Sequence, residues 1–221
     1  MDDRRIPDAT DSPDPTPLHG AHGHQALLED GLRFINTLEF SRDGAEDELP
    51  SAGAALHWIR DQALMHDDAL ESQLALVGAS EKEAGRILRK VHRVRGAMRE
   101  LVEAAVERRP PDLGQLSEVN RALRTHYIYE LIPAPDGVSM DHRHEGDPID
   151  GALARLAESV AREVSQGEPE RLRICANEHC RYVFADTSRT GRRKWCDMST
   201  CGNRAKAARH RERQKGLDGV A

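Results

Sequence analysis

The chain has 221 residues, of which 38% are hydrophobic, 32% are charged and only 4% are aromatic, and its formal net charge is −6. The low aromatic content argues against an all-β fold, because strands favour aromatic and β-branched residues. No stretch approaches the ~18 consecutive apolar residues of a membrane span, and the acidic, proline-rich start lacks the apolar segment of a secretion signal. These features predict a mainly α-helical, cytoplasmic protein with no membrane partner.

The N-terminal two thirds of the chain predict a helical domain. Residues 1–24 have no apolar period and predict a disordered arm. Apolar residues then recur at helical spacing, at Leu28, Leu32, Ile35 and Leu38 and again around Trp58, which we interpret as a core anchor. We assign residues 25–166 to this domain and residues 167–170 to a linker.

The clearest helix is predicted over residues 81–108. Ser80 and Glu83 form a capping-box pattern at its start, and Pro110 ends it. Its arginine-rich outer face is interleaved with glutamates, which indicates a solvated face more than a nucleic-acid face. A shorter helix from Asp112, an extended segment around a Pro-Asp-Gly turn, and a last helix from Asp147 to Gly167 complete the domain.

All four cysteines of the chain lie near its C-terminus, in the pattern C-x4-C-x15-C-x4-C. Two close cysteine pairs separated by ~12–20 residues are the ligand layout of a tetrahedral zinc site. Four thiolates leave no coordination position for water, so the pattern predicts one structural Zn²⁺ per chain. Its predicted ligands are Cys175, Cys180, Cys196 and Cys201.

The segments around the cysteines predict a small β-hairpin plus helix, similar to treble-clef or zinc-ribbon modules. Residues 181–186 read as a strand, residues 187–191 as a turn and residues 192–196 as the returning strand. The residues after Cys201 have helical composition. We assign the module to residues 171–215 and a disordered tail to residues 216–221.

The charge of the chain is divided unevenly. Residues 171–215 contain 13 Arg and Lys against 4 Asp and Glu, which is +9, and the rest of the chain carries −15. Such a split predicts that the basic module meets a polyanion. The predicted nucleic-acid contacts are Arg192, Arg193, Lys194, Arg204, Lys206, Arg209, Arg211, Arg213 and Lys215.

Duplex DNA is the favoured partner, with RNA second, because RNA readers expose aromatic side chains for stacking and this module has few. A zinc-stabilised module that binds only protein, including the acidic helical domain itself, is the other alternative. One finger buries only ~600–1,000 Å² on DNA, so we expect the helical domain to form a homodimer that pairs two fingers.

Catalytic motifs are not apparent, and we predict no enzyme. A small-molecule effector, its identity unknown, is one explanation for polar residues among the apolar helices, namely Arg33, Asn36 and Thr37 near Trp58. The simpler interpretation is that Asn36 and Thr37 find partners within the helical core.

The finger resembles the CGNR-type zinc finger. The matching features are the four cysteines, the Phe-x-Asp-x-Ser run at Phe184 to Ser188, the Arg-Lys-Trp-Cys run ending at Cys196, and the tetrapeptide Cys201-Gly202-Asn203-Arg204. Asn36-Thr37, the run from Leu56 to Ile59, and Leu116 to Leu123 are similar to the ABATE domain that precedes the finger in that family. The resemblance implies a bacterial, stress-linked transcription regulator that binds nucleic acid.

Overall fold

A computed structural model describes residues 24–134 and 137–218. The arm predicted over residues 1–24 therefore falls almost entirely outside the described residues, as do residues 219–221. The described elements follow one another in this order: α1 (His24–Asn36), β1 (Leu38–Ser41), β2 (Gly44–Asp47), α2 (Ala52–Asp61), α3 (Asp67–Ala79), α4 (Glu81–Glu107), α5 (Leu113–Ala122), β3 (His126–Ala134), β4 (Gly137–Glu145), α6 (Pro148–Gln166), a 3-10 turn (Pro169–Arg171), β5 (Leu172–Ile174), β6 (Val183–Ala185), a π-helical turn (Met198–Gly202) and α7 (Asn203–Asp218).

The predicted ends of the long helices are confirmed. The hydroxyl of Ser80 accepts a hydrogen bond from the Glu83 amide at 3.3 Å at the start of α4. Arg108 ends α4 in the left-handed conformation, with φ of 54°. Asp147 caps α6, and Pro148 occupies its first turn, where proline removes no intrahelical hydrogen bond. Local sequence chemistry thus sets where these helices begin and end.

The core of the helical domain lies where α1, α2, α4 and α6 meet. Phe34, Leu56, Met98 and Leu153 are among its buried side chains. Trp58 is partly buried, and its ring packs against Phe34 with centroids 5.5 Å apart. Among the described helices, none is both long enough and apolar enough to cross a membrane.

Two features of the domain differ from the predictions. Leu38 does not continue the apolar face of α1 but belongs to β1, because the hydroxyl and amide of Thr37 both donate to the carbonyl of Phe34 and end the helix. The β1–β2 hairpin and helix α3 were not predicted. The strands β1 and β2 have only four residues each, and α3 is weakly amphipathic, so neither feature carries much periodic signal.

The extended segment after α5 is a β-hairpin, as predicted. Strands β3 and β4 pair antiparallel over nine residue pairs, from His126 opposite Glu145 to Ala134 opposite Gly137. Pro135 and Asp136 of the predicted turn lie outside the described residues. Within the described part of the chain this sheet has two strands, and its β4 strand contacts α6.

The zinc module also contains a hairpin, but with a different strand pairing from the prediction. Strand β6 is confirmed, yet its partner is β5, with Leu172 opposite Ala185 and Ile174 opposite Val183. Residues 192–195 form no strand and run beside the hairpin, where the Lys194 carbonyl accepts a hydrogen bond from the Ala176 amide at 2.9 Å. Residues 172–174 form a strand of only three residues, which is too short for a sequence pattern to indicate.

The hairpin β5–β6 packs directly on the helical domain. Leu172 and Val183 are fully buried in the same apolar core as α1 and α4. The side chain of Asn36 donates to the Val183 carbonyl at 2.8 Å and accepts from the Val183 amide at 2.9 Å. The zinc module and the helical domain therefore share buried contacts on one side of the hairpin.

Charged groups on α4 extend this contact. Arg99 donates to the Arg181 carbonyl at 2.6 Å, and its guanidinium lies 4.8 Å from the ring centre of Phe40. Glu103 forms ion pairs with both Arg99 at 3.1 Å and Arg181 at 2.9 Å. Burial lowers the pKa of Arg99, an effect that the charge of Glu103 offsets in part.

Candidate metal centre and basic helix

The four cysteines converge on one point although they come from four separate places in the chain. Cys175 follows β5, Cys180 precedes β6, Cys196 ends the loop after the hairpin, and Cys201 lies in the π-helical turn. Their sulfur atoms all lie within 4.8 Å of one another. The Sγ atoms of Cys180 and Cys196 are 3.6 Å apart, and those of Cys196 and Cys201 are 3.8 Å apart.

These distances fit a tetrahedral zinc site. Four sulfurs around Zn²⁺ with Zn–S bonds of ~2.3 Å stand ~3.8 Å from each other. The cysteines are free of disulfides, and in the described residues they are the one cluster of metal-ligating side chains of this kind. The donor set therefore fits one Zn²⁺ held by four thiolates, with no open coordination position.

A cation would stabilise the thiolate forms of the four clustered cysteines. Burial raises the pKa of Cys180 to about 11, and burial together with the neighbouring sulfurs raises the pKa of Cys196. Burial acts the same way on Cys201, but hydrogen bonds outweigh it, among them one from Asn177 Nδ2 at 3.5 Å, and its pKa is lowered. Four neighbouring thiolates repel one another, and a divalent ion at the centre compensates their charge.

The loop between the hairpin and Cys196 is held by Asp186 and Arg193. Asp186 is fully buried, and its carboxylate accepts from the Ser188 amide at 3.0 Å and the Arg193 amide at 2.7 Å. The Arg193 guanidinium lies 4.8 Å from the ring centre of Phe184 and donates to the Trp195 carbonyl at 2.8 Å and to the Cys196 carbonyl. These bonds fix the approach of Cys196 to the metal.

The Cys-Gly-Asn-Arg tetrapeptide has a separate physical role at each position. A Cβ atom on Gly202 would stand 2.6 Å from Sδ of the exposed Met198, so a larger residue there would displace the Met198 side chain. Asn203 donates to the Ser199 carbonyl at 3.0 Å and secures the join to α7. Arg204 is exposed at the start of that helix. The tetrapeptide thus couples a zinc ligand to the start of the basic helix.

The predicted nucleic-acid residues fall into two groups. Those with exposed side chains are Arg192, Lys194, Arg204, Lys206, Arg209, Arg211 and Arg213. Arg193 is half-buried and engaged inside the finger, so it positions the metal loop. The side chain of Lys215 is outside the described part of α7. The principal packing partner of α7 is the π-helical turn before it.

Two of the four predicted effector residues line one cavity. A cavity of about 260 Å³ between α1 and β6 touches Arg33 and Asn36, but neither Thr37 nor Trp58. Asn36 is hydrogen-bonded to Val183, and Thr37 to Phe34 and Arg95. Arg33 is exposed and paired with Glu29 at 2.9 Å. The polar atoms of Asn36 and Thr37 thus have partners within the protein.

Three supporting residues were missed in the sequence. Asn177 and Asp186 stand beside the ligands, and the Phe-x-Asp-x-Ser run was the available signal for Asp186. Arg99 looked like one of many arginines on α4, because its position against β6 follows from the packing of the finger on the helical domain.

Fold and site together define a helical domain that carries a closed four-cysteine zinc finger and an exposed basic helix. The CGNR zinc finger profile matches residues 171–214, and the profile of the ABATE family, described as a putative stress-induced transcription regulator, matches residues 31–167. The second match covers more than half of the chain, so the chain belongs to the ABATE family. No curated protein compared with the chain matches it.

Proposed function

We propose that this protein binds duplex DNA through its zinc finger and acts as a stress-linked transcription regulator in the cytoplasm. The observation that supports this is the cluster of seven exposed basic side chains on α7 and on the loop before Cys196. Each Lys or Arg that neutralises a phosphate releases counterions, which is the main sequence-independent source of affinity for DNA. A four-thiolate zinc site also suits a reducing compartment.

The arrangement of charge on α7 supports contact with both strands of a groove. At 100° per residue, Lys206, Arg209 and Arg213 lie on one flank, while Arg204 and Arg211 lie on the opposite flank. The helix has 16 residues and is ~24 Å long. Over residues 203–215 its apolar residues are three small alanines, so this part of the helix has no face for packing in a core. Placed in a major groove, the two flanks would each meet one phosphate backbone.

The aromatic side chains favour DNA over RNA. Phe184 is buried against the zinc cluster and Trp195 is partly buried there, so neither offers a free face for base stacking. Tyr182 is 36% exposed, which leaves one partly available ring. Proteins that read single-stranded RNA usually stack several bases on aromatic rings.

The position of the finger bears on the protein-interaction alternative. The finger contacts the acidic helical domain through β5–β6 and Arg181, while the basic side chains of α7 named above remain exposed. The charge that would bind a polyanion is therefore not used in holding the finger in place. We further propose that two chains act together as a homodimer, because one finger supplies too small a contact to select a site.

The test is a salt titration of full-length, zinc-loaded protein on duplex DNA, single-stranded DNA and RNA. If about six of the exposed cations meet phosphates, the slope of log affinity against log salt is about −5 per finger. Arg209→Ala with Arg213→Ala should flatten that slope by about two units. Arg121→Ala with Arg162→Ala removes the same charge from exposed positions on the helical domain and should leave the slope unchanged.

Three results are decisive. Equal loss in the two double variants would mean that only net charge matters, and α7 would not be the contact surface. A higher affinity for RNA than for duplex DNA would replace DNA by RNA. No binding to any nucleic acid at ~50 mM salt, where such contacts are strongest, would favour a protein-interaction module.

A further inference from the structure

The hairpin β3–β4 exposes an unusual amount of apolar surface. Eight large apolar side chains of the described residues are exposed, and four of them belong to this hairpin. The exposed fractions are 58% for Tyr129, 67% for Leu131, 71% for Val138 and 44% for Met140. Apolar side chains scattered singly over a surface are ordinary, whereas a contiguous group indicates an interaction site.

These four side chains lie on one face of the hairpin. Tyr129 and Leu131 are two positions apart on β3, and Val138 and Met140 are two positions apart on β4, so each pair points to one side. Leu131 stands directly opposite Met140, and Pro133 opposite Val138, which brings both pairs to the same side. We call this face, formed by Tyr129, Leu131, Val138 and Met140, the apolar ribbon.

Among the described elements, the hairpin has little support beyond the contact of β4 with α6. An isolated pair of strands is marginally stable in water and becomes stable with a third strand or with cover on its apolar face. In the described part of the chain, β3 and β4 pair only with each other. Cover on its apolar face would therefore stabilise this hairpin.

We infer that the apolar ribbon is the surface through which two copies of this chain associate, with the two ribbons packed face to face about a two-fold axis. This deepens the homodimer of the proposed function and rests on it. A two-fold interface needs a self-complementary patch, and an apolar ribbon is complementary to itself. Outside residues 171–215 the chain carries −15, so an uncharged patch is where two copies can approach with least repulsion.

The area agrees with a reversible dimer. The four side chains expose on the order of 400 Å² per chain, taking ~150–250 Å² for a whole large side chain. Two copies packed face to face would bury ~800 Å² from these side chains, which is in the range of weak, transient interfaces, below ~1,200 Å². We therefore expect a dimer that dissociates on dilution in the micromolar range.

The experiment is sedimentation of full-length, zinc-loaded protein between about 1 and 100 μM. Wild type should shift from monomer to dimer over this range. Leu131→Glu with Met140→Glu places charges on opposite strands of the ribbon and should remain monomeric with unchanged helical circular dichroism. Leu76→Glu with Leu113→Glu changes two exposed apolar side chains elsewhere and should still dimerise.

A dimeric ribbon variant would overturn this surface while leaving the homodimer itself intact. A monomeric wild type at 100 μM would overturn both. If the ribbon variant does not fold, hydrogen exchange on wild type decides. Cover on the ribbon should slow exchange of the β3 and β4 amides as concentration rises, and unchanged exchange would refute the inference. DNA binding is measured separately, by the salt titration. The monomeric ribbon variant should keep the salt slope of a single finger. If wild type dimerises but does not bind DNA, that result would count only against the DNA proposal.

Discussion

Replacing Asn36 by alanine tests whether the zinc finger and the helical domain unfold together. Asn36 is buried at the end of α1, and its amide group satisfies both the amide and the carbonyl of Val183 in β6. Alanine removes both hydrogen bonds and leaves two buried backbone groups without partners. A hydrogen bond contributes ~1 kcal/mol net, and an unsatisfied buried group costs ~1–3 kcal/mol, so we expect a loss of ~2–4 kcal/mol.

The assay is urea unfolding of zinc-loaded protein, followed at once by helical circular dichroism and by zinc release to a colorimetric chelator. Because Leu172 and Val183 share the core of α1 and α4, both signals should move together, and the midpoint should fall by about 1 M urea. Asn120→Ala changes an exposed asparagine of α5, away from the finger, and serves as the matched control, with an expected change within ~0.5 kcal/mol.

The reasoning would be refuted by a divided result. If Asn36→Ala advanced zinc release but left the helical transition where it is in wild type, the finger would be an independent unit. If neither signal moved, the reciprocal bonds to Val183 would contribute nothing to stability.

Three further predictions concern the metal, the packing of α1 and acid stability. Cys196→Ser should bind less than one zinc per chain by elemental analysis, whereas Ser199→Ala should keep the full amount; full zinc content in Cys196→Ser would contradict the four-thiolate site. Gly31→Ala should lower the free energy of unfolding by ~1–3 kcal/mol, because its Cβ would stand 2.5 Å from Ser159 Oγ and 2.8 Å from Val160 Cγ2. At Gly78 the new Cβ would enter open space. Gly78→Ala should therefore leave the free energy of unfolding unchanged or raise it by up to ~1 kcal/mol, as measured by thermal unfolding. Burial opposes ionisation of Asp47, but hydrogen bonds from Arg95, at 2.6 Å to each oxygen, and from the Leu49 amide outweigh burial and lower the pKa of Asp47. The stability that ionised Asp47 contributes is therefore present above pH ~4 and is lost as pH falls through the folded pKa. Asp47→Asn should lessen this loss in acid unfolding and should destabilise the protein at pH 7.

Much of the protein could be predicted from local sequence. The ends of α4 and the start of α6 follow from Ser80, Pro110 and Asp147, since caps and prolines act within three or four residues of their own position. The spacing of Cys175, Cys180, Cys196 and Cys201 was sufficient to predict a four-thiolate site, because short spacings place two ligands on one loop. The basic character of α7 is equally local, since it depends on composition.

Other properties depend on contacts between distant residues, and the tertiary structure decides them. Asn36 and Val183 are 147 positions apart, and neither side chain signals that it will meet the other. Arg193 and Arg192 look alike in the sequence, yet the fold turns Arg193 onto Phe184 and the Cys196 carbonyl while Arg192 stays exposed. The apolar ribbon has the alternation of an ordinary half-buried hairpin. Its exposure arises because the described helices cover other surfaces, and burial depends on how elements pack in space.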